Sequence, residues 1–272
     1  MPNEPDRIIN LGAEAPRLPE VHHLIILDAS GSMNDFKSVT IAGVNKQLQT
    51  AQAADELKET RNFVTLVSFN QSSTYLRNNE QASGCALMNA VEYQTIGSTA
   101  LYDTIVEVIT NFEQNVLGQK AKSDNTKILI TIFTDGLNNL QLKYSKEQAA
   151  ETLTRVQQLG WAVTYVGANQ NVSEVADLLN IPLGNTMQYT ANNAGYTSAF
   201  DTMASSRMMY CRSVSRSIDA NESLRASTVA SADSSGFTRS FFSTTGNVTT
   251  PSPTAKVDAA IAELEALKNV AI

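Results

Sequence analysis

The sequence predicts an α/β fold: a doubly wound, mostly parallel central sheet flanked by helices, with one short antiparallel edge strand. Three observations carry this. From about Val21 onward, short apolar runs alternate with amphipathic helical segments. The apolar runs are nearly continuous rather than alternating, as in strands buried on both faces. Several of them end in polar, glycine-containing turns, which is where an open sheet of this class places its crevice.

The elements follow in order. The first twenty residues carry early acids and prolines and read as an extended arm; they lack the apolar stretch of a signal peptide. VHHLIILD, Val21 to Asp28, is a buried strand. A helix follows, with Ile41, Val44, Leu48, Ala51 and Leu57 near helical spacing. NFVTLVSF, Asn62 to Phe69, is a β-branched and aromatic strand. STYLRN and CALMNA are both short enough for an edge strand. ALYDTIVEVITNFEQNVL is amphipathic, with Leu101, Ile105, Val108, Ile109 and Phe112 on one side. KILITIFTD, Lys127 to Asp135, is the most strongly apolar strand. SKEQAAETLTRVQQLG is a helix ended by Gly160. WAVTYVGA is a strand, VSEVADLLN a short helix and NTMQYT a last strand. AFDTMASSRMMYCRSVSR reads as the closing helix.

Four regions result: an arm over 1–20, the α/β domain over 21–217, a Ser/Thr-rich linker or wrap over 218–252 and an amphipathic helix over 253–272. Phe237, Phe241 and Phe242 make the wrap too apolar to be wholly solvated. In the last region Pro253 suits a first helical position, and Val257, Ile261 and Leu264 form a stripe expected to pack on the domain.

Composition excludes some functions. The 272 residues carry 20 Lys+Arg against 27 Asp+Glu, a net charge of −7. Such a chain is a poor partner for nucleic acid or for an anionic membrane, and no segment is long and apolar enough to span a bilayer. Cys85 and Cys211 make no disulfide framework and read as free thiols, so a cytoplasmic location is expected.

Oxygen ligands gather at three predicted strand ends or helix starts. Asp28-Ala29-Ser30-Gly31-Ser32 follows the first strand. Ile96-Gly97-Ser98-Thr99 opens a helix. Phe133-Thr134-Asp135-Gly136 closes the KILITIF strand. Strands one and four are neighbours at the switch point of such a sheet, so Asp28 and Asp135 are expected side by side. Two close carboxylates repel unless a proton or a cation lies between them. Three hydroxyls beside them favour a hard cation: Mg²⁺, with Mn²⁺ or Ca²⁺ as alternatives. The expected metal ligands are Asp28, Ser30, Ser32, Thr99 and Asp135.

This pattern resembles the metal-ion-dependent adhesion site of the von Willebrand factor A domain family, over roughly His22 to Arg216. DASGS matches the family's D-x-S-x-S, Thr99 its single threonine, and Asp135, in FTDG, its aspartate. The resemblance implies a member of the intracellular bacterial or phage type. It implies that the serines and the threonine bind the ion directly or nearly so, that the aspartates often act through water, and that a partner protein's Asp or Glu completes the coordination. The expected function is a metal-dependent protein-binding module and not an enzyme, with no catalytic residues.

Two other functions compete. A Mg²⁺-dependent phosphoryl-transfer enzyme also uses strand-end aspartates. The phosphatase pattern D-x-D, however, needs an acid where Ser30 stands, and none of the three segments carries a lysine. A scaffold subunit acting through its C-terminal tail is the other. Bland readings cover the remaining polar residues. His22 and His23 point to opposite faces of a strand and are structural; Asp103 is a first-turn helix acid. Ser68 and Asn70 read equally as turn residues or as crevice lining. Trp161, Met203, Met208 and Met209 are packing residues.

Overall fold

The computed structural model describes residues 18–118, 125–168, 170–226 and 241–242, with side chains of the last helix described to Arg216. Six strands form one sheet: β1 (Glu20–Asp28), β2 (Arg61–Phe69), β3 (Ser73–Gln81), β4 (Thr126–Thr134), β5 (Ala162–Ala168) and β6 (Thr186–Tyr189). Their order is β3-β2-β1-β4-β5-β6. Every pairing is parallel except β2 with β3. This is the doubly wound sheet the sequence predicts, with its antiparallel edge.

Five helices cover it: α1 (Lys37–Glu56), α2 (Leu101–Asn111), α3 (Lys146–Gln158), α4 (Val172–Leu179) and α5 (Asn193–Ala226). One face buries Leu24, Ile26, Ile130 and Ile132 against α2, α3 and α4, through residues such as Ile105, Ile109, Leu153 and Val175. The other buries Ile25, Leu27 and Phe133 against α1 and α5, through Val44, Leu48, Tyr196 and Phe200. Both faces of β1 and β4 are therefore dry, which explains their unbroken apolar runs. α1 and α5 pack closely at Gly43, where a Cβ would lie 2.0 Å from the Phe200 ring. α3 begins in a capping box at Ser145 and Gln148, and Gly160 follows its end at φ 83°.

Several expectations change. CALMNA is not a strand. Asn45 of α1 holds the backbone of Met88 in both directions, at 2.7 and 2.9 Å, and Gln52 donates to the Cys85 carbonyl at 2.8 Å. Side-chain amides thus take up backbone groups that a sheet ladder would otherwise hold. α2 passes into a π turn over Phe112–Leu117. α5 starts earlier than its apolar pattern, where the Asn192 side chain accepts from the Gly195 amide at 2.8 Å, and it runs on past residue 217 to Ala226. Met209 is exposed rather than packed.

Phe241 docks on the domain. Its side chain is buried with Val21, Leu129, Tyr210 and Cys211, and its amide donates to Asn185 at 2.7 Å. The arm up to residue 17, Phe237 and the expected helix over 253–272 lie outside the described residues. Among the described residues no helix is long and apolar enough to cross a membrane.

Candidate metal centre

The site sits at the carboxyl ends of β1 and β4. Leu27 pairs with Phe133 across these strands. Thr134 therefore stands beside Asp28, and Asp135 lies one residue beyond. The expectation of adjacent carboxylates is met with an offset, and the threonine fills the space between.

Asp28 is wholly buried. One of its oxygens accepts from the Ser30 amide at 2.7 Å, the other from the Thr134 hydroxyl at 2.6 Å. The Thr134 hydroxyl in turn accepts from the Gly136 amide at 3.1 Å, so one side chain fixes both Asp28 and the turn after Asp135. The Tyr93 hydroxyl donates to the Asp28 carbonyl. Ser30 and Ser32 hydroxyls lie 3.1 Å apart, and Ser32 donates to Asp135 at 2.8 Å. Asp28, Ser30 and Asp135 are buried while Ser32 is open to water. The cluster thus reaches from the core to the surface.

The second segment is laced to the first by backbone. The Gly31 amide donates to the Gly97 carbonyl at 3.0 Å and the Ile96 amide to the Ala29 carbonyl at 2.9 Å. Gly97 makes this approach at φ 81°, a conformation that other residues seldom adopt. Thr99 is buried beside it. Its amide donates to the Asn139 side chain at 2.7 Å and its carbonyl accepts from the Asn139 amide at 3.1 Å. Asn139 belongs to the loop that follows Asp135, so the third segment grips the second. The loop is itself clamped by Asp103, whose carboxylate accepts from the amides of Leu142, Lys143 and Tyr144 at 3.0, 2.6 and 3.0 Å. Asp103 is more than a helix-dipole acid: it anchors the loop that positions Thr99.

The electrostatics are those of a site short of positive charge. Burial raises the Asp28 carboxyl above the usual range, against the pull of the Thr134 and Ser30 hydrogen bonds, and nearby Asp135 adds to the rise. Burial raises Asp135 as well, opposed by the Ser32 hydrogen bond. No cation is among the charges acting on either group. Among the described residues the two buried carboxylates and the Ser30–Ser32 hydroxyl pair are joined by hydrogen bonds, and these are oxygen donors of the kind a hard divalent ion takes; Thr99 is tied to the adjoining loop through its backbone. Among the described residues no group of three or more His, Cys, Asp or Glu is placed to hold a metal ion, so an ion here would depend on hydroxyls beside the two carboxylates.

Thr134, Tyr93, Asn139 and the clamping role of Asp103 escape sequence reasoning. The Asn138-Asn139 pair after Asp135-Gly136 is a turn signal that points to the third loop, though not to its grip on Thr99. Asn70 shapes a turn, accepting from the amides of Gln71 and Ser72 at 2.6 and 3.2 Å. His22 and His23 lie away from the site. His22 stacks on Phe63 with ring centroids 4.9 Å apart. His23 joins a buried polar cluster in which Arg207 donates to its Nδ1 at 2.7 Å, leaving Nε2–H to donate to Asn62 at 3.0 Å.

No protein-family model matches the sequence, and no curated protein matches it. Solved structures do. The pilus adhesin SpaC of Lactobacillus rhamnosus GG aligns over 72% of this chain and 32% of its own, at 12% identity and a TM-score of 0.54. Its open conformation covers 72% and 31%, at 11% identity and 0.51. Manganese-loaded TRAP protein of Plasmodium vivax covers 66% and 72%, at 17% identity and 0.45. The chain spans about a third of the length of the adhesin. At these identities the likeness is one of fold, and the fold is that of the von Willebrand factor A domain.

Proposed function

We propose that this chain is a divalent-cation-dependent protein-binding module. Asp28, Ser30, Ser32, Thr99 and Asp135 hold the ion, which is Mg²⁺ by the hardness of the donors, with Mn²⁺ or Ca²⁺ as substitutes. The observation that carries this is the convergence of Asp28 and Asp135 with the Ser30–Ser32 hydroxyl pair, linked through Ser32 and without a basic partner among the described residues.

When bound, the ion supplies an electrophilic position open to a carboxylate. Asp28, Ser30, Ser32, Thr99 and Asp135 would hold it with two carboxylates and three neutral hydroxyls. The hydroxyls are neutral donors, and Thr134 and the Ser30 amide already occupy both Asp28 oxygens. A partner's Asp or Glu would supply a further oxygen donor. Ser32, exposed at the mouth, marks where that carboxylate enters.

Binding, rather than phosphoryl transfer, follows from what surrounds the carboxylates. Ser30 offers a hydroxyl where an acid catalyst would have to stand. The buried, free thiols of Cys85 and Cys211, pushed up by burial to about 11 and about 12, fit a reducing cytoplasm. The test is capture of partner protein by the immobilised chain in Mg²⁺ and in EDTA, beside Mg²⁺ calorimetry of wild type, Asp28→Ala and Asp135→Ala. EDTA-sensitive capture and loss of the binding heat in both folded variants are expected. Unchanged Mg²⁺ affinity in both variants overturns the reading.

A further inference from the structure

The loops around the site carry apolar side chains that the core does not claim. Of the five most exposed large apolar residues among the described ones, four stand on two of these loops: Val91 at 82%, Ile96 at 68%, Leu142 at 63% and Leu137 at 57%. Ile96 and Leu137 flank the ligand segments directly, one just before Gly97-Ser98-Thr99 and one just after Asp135-Gly136. Val91 and Leu142 stand further out on the same loops.

Three of these four side chains stand on backbone that hydrogen bonds fix in place. The Ile96 amide is bonded to Ala29, at the first ligand segment. Val91 rides a turn whose amides bond the Asn89 side chain at 2.9 and 3.1 Å, and the next residue, Glu92, pairs with Arg77 at 2.9 Å. The Leu142 amide is one of the three clamped by Asp103. Leu142 and Ala100, the neighbour of Thr99, also line an open cavity of about 570 Å³ whose other lining residues are mostly polar. Apolar groups fixed in water around a polar centre mark a surface prepared for a partner.

We infer that Val91, Ile96, Leu137 and Leu142 form a docking rim for a protein segment in which one Asp or Glu stands between apolar side chains. This rests on the metal-dependent reading above, since the ion is what asks for the carboxylate. Charge selects the rest of the segment. A chain of net charge −7 repels a run of acids, whereas a single acid framed by apolar residues matches both the centre and its rim.

The experiment uses a displayed peptide library with one fixed central Glu and random flanks. It is panned on the full chain in Mg²⁺ and eluted with EDTA. The eluted pool is expected to be enriched in Leu, Ile, Val, Phe and Met beside the Glu. A selected peptide is expected to bind the Ile96→Ser/Leu137→Ser double variant about tenfold more weakly, the effect of losing two partly buried apolar contacts. The double variant keeps wild-type Mg²⁺ affinity by calorimetry. An eluted pool without apolar preference, or equal peptide affinity for the double variant, overturns the rim and leaves the metal reading standing. Mg²⁺ binding with no EDTA-released peptide also overturns the rim. Absence of Mg²⁺ binding by wild type brings down the reading beneath it.

Discussion

Thr134→Val removes one hydroxyl and keeps the side chain's shape. In the native protein that hydroxyl donates to a fully buried carboxylate oxygen of Asp28 at 2.6 Å and accepts from the Gly136 amide at 3.1 Å. A hydrogen bond to a charged acceptor contributes roughly 1.5–3 kcal/mol, and the orphaned amide adds roughly 1 kcal/mol more. Without metal, the variant is expected to lose about 3 kcal/mol of stability at neutral pH. Thr134 is expected to act on the ion only through Asp28, and outer partners of metal ligands typically account for about 10–100-fold in affinity. Urea unfolding in EDTA reads the first quantity and Mg²⁺ calorimetry the second. A variant within about 0.5 kcal/mol of wild type, the scatter of inert surface changes, and with unchanged Mg²⁺ affinity would refute the claim that Thr134 holds Asp28 ready for a cation.

Three further outcomes are expected. Asp103→Ala frees the amides of Leu142, Lys143 and Tyr144, and through the Asn139 loop it loosens Thr99. Hydrogen exchange should speed at those amides and Mg²⁺ affinity fall about tenfold; intact protection would contradict the clamp. Gly43→Ala drives a methyl into the Phe200 ring and should lower stability by about 1–3 kcal/mol by thermal unfolding, whereas a neutral substitution would deny the close approach of α1 and α5. His23 must stay neutral to accept from Arg207; burial, then the Arg207 charge, depresses it well below the ordinary imidazole value. The unfolded chain therefore binds a proton that the folded chain refuses. Stability should fall as pH drops below about 6.5, by at most about 1.4 kcal/mol per unit from this group. Imidazole ¹⁵N NMR should show His23 neutral and Nε2-protonated at pH 6, and an imidazolium signal there would rule this out.

The sheet was legible because its chemistry is local and redundant. β1 and β4 are buried on both faces, so their middles are apolar on successive residues, Leu24 to Leu27 and, but for Thr131, Ile128 to Phe133, and their polar ends stand out by contrast. β3 was harder, because an edge strand with one wet face resembles a loop. CALMNA misled for the complementary reason. Cys85 and Met88 are apolar because they pack against other parts of the fold, while Asn45 and Gln52 serve their backbone. No local pattern reveals an amide that is sequence-distant and spatially adjacent.

The candidate site divides in the same way. Asp28, Ser30, Ser32, Thr99 and Asp135 announce themselves as hydroxyls and carboxylates at the expected strand ends and helix start. The residues that aim them do not. Thr134 reads as one more β-branched strand residue, and Tyr93 as an isolated aromatic. Asp103 looks like an ordinary first-turn acid until its three amide partners, some forty residues away, are in view. Positioning is a property of the loops' mutual grip, which arises only when β1 and β4 lie side by side.

The proposed function needs an ion among these side chains. Crystals of the full chain grown in Mn²⁺, measured at the manganese absorption edge, test this most directly. One strong anomalous peak per chain is expected among Asp28, Ser30, Ser32, Thr99 and Asp135. A map with no peak there, while manganese is bound elsewhere or nowhere, would contradict it.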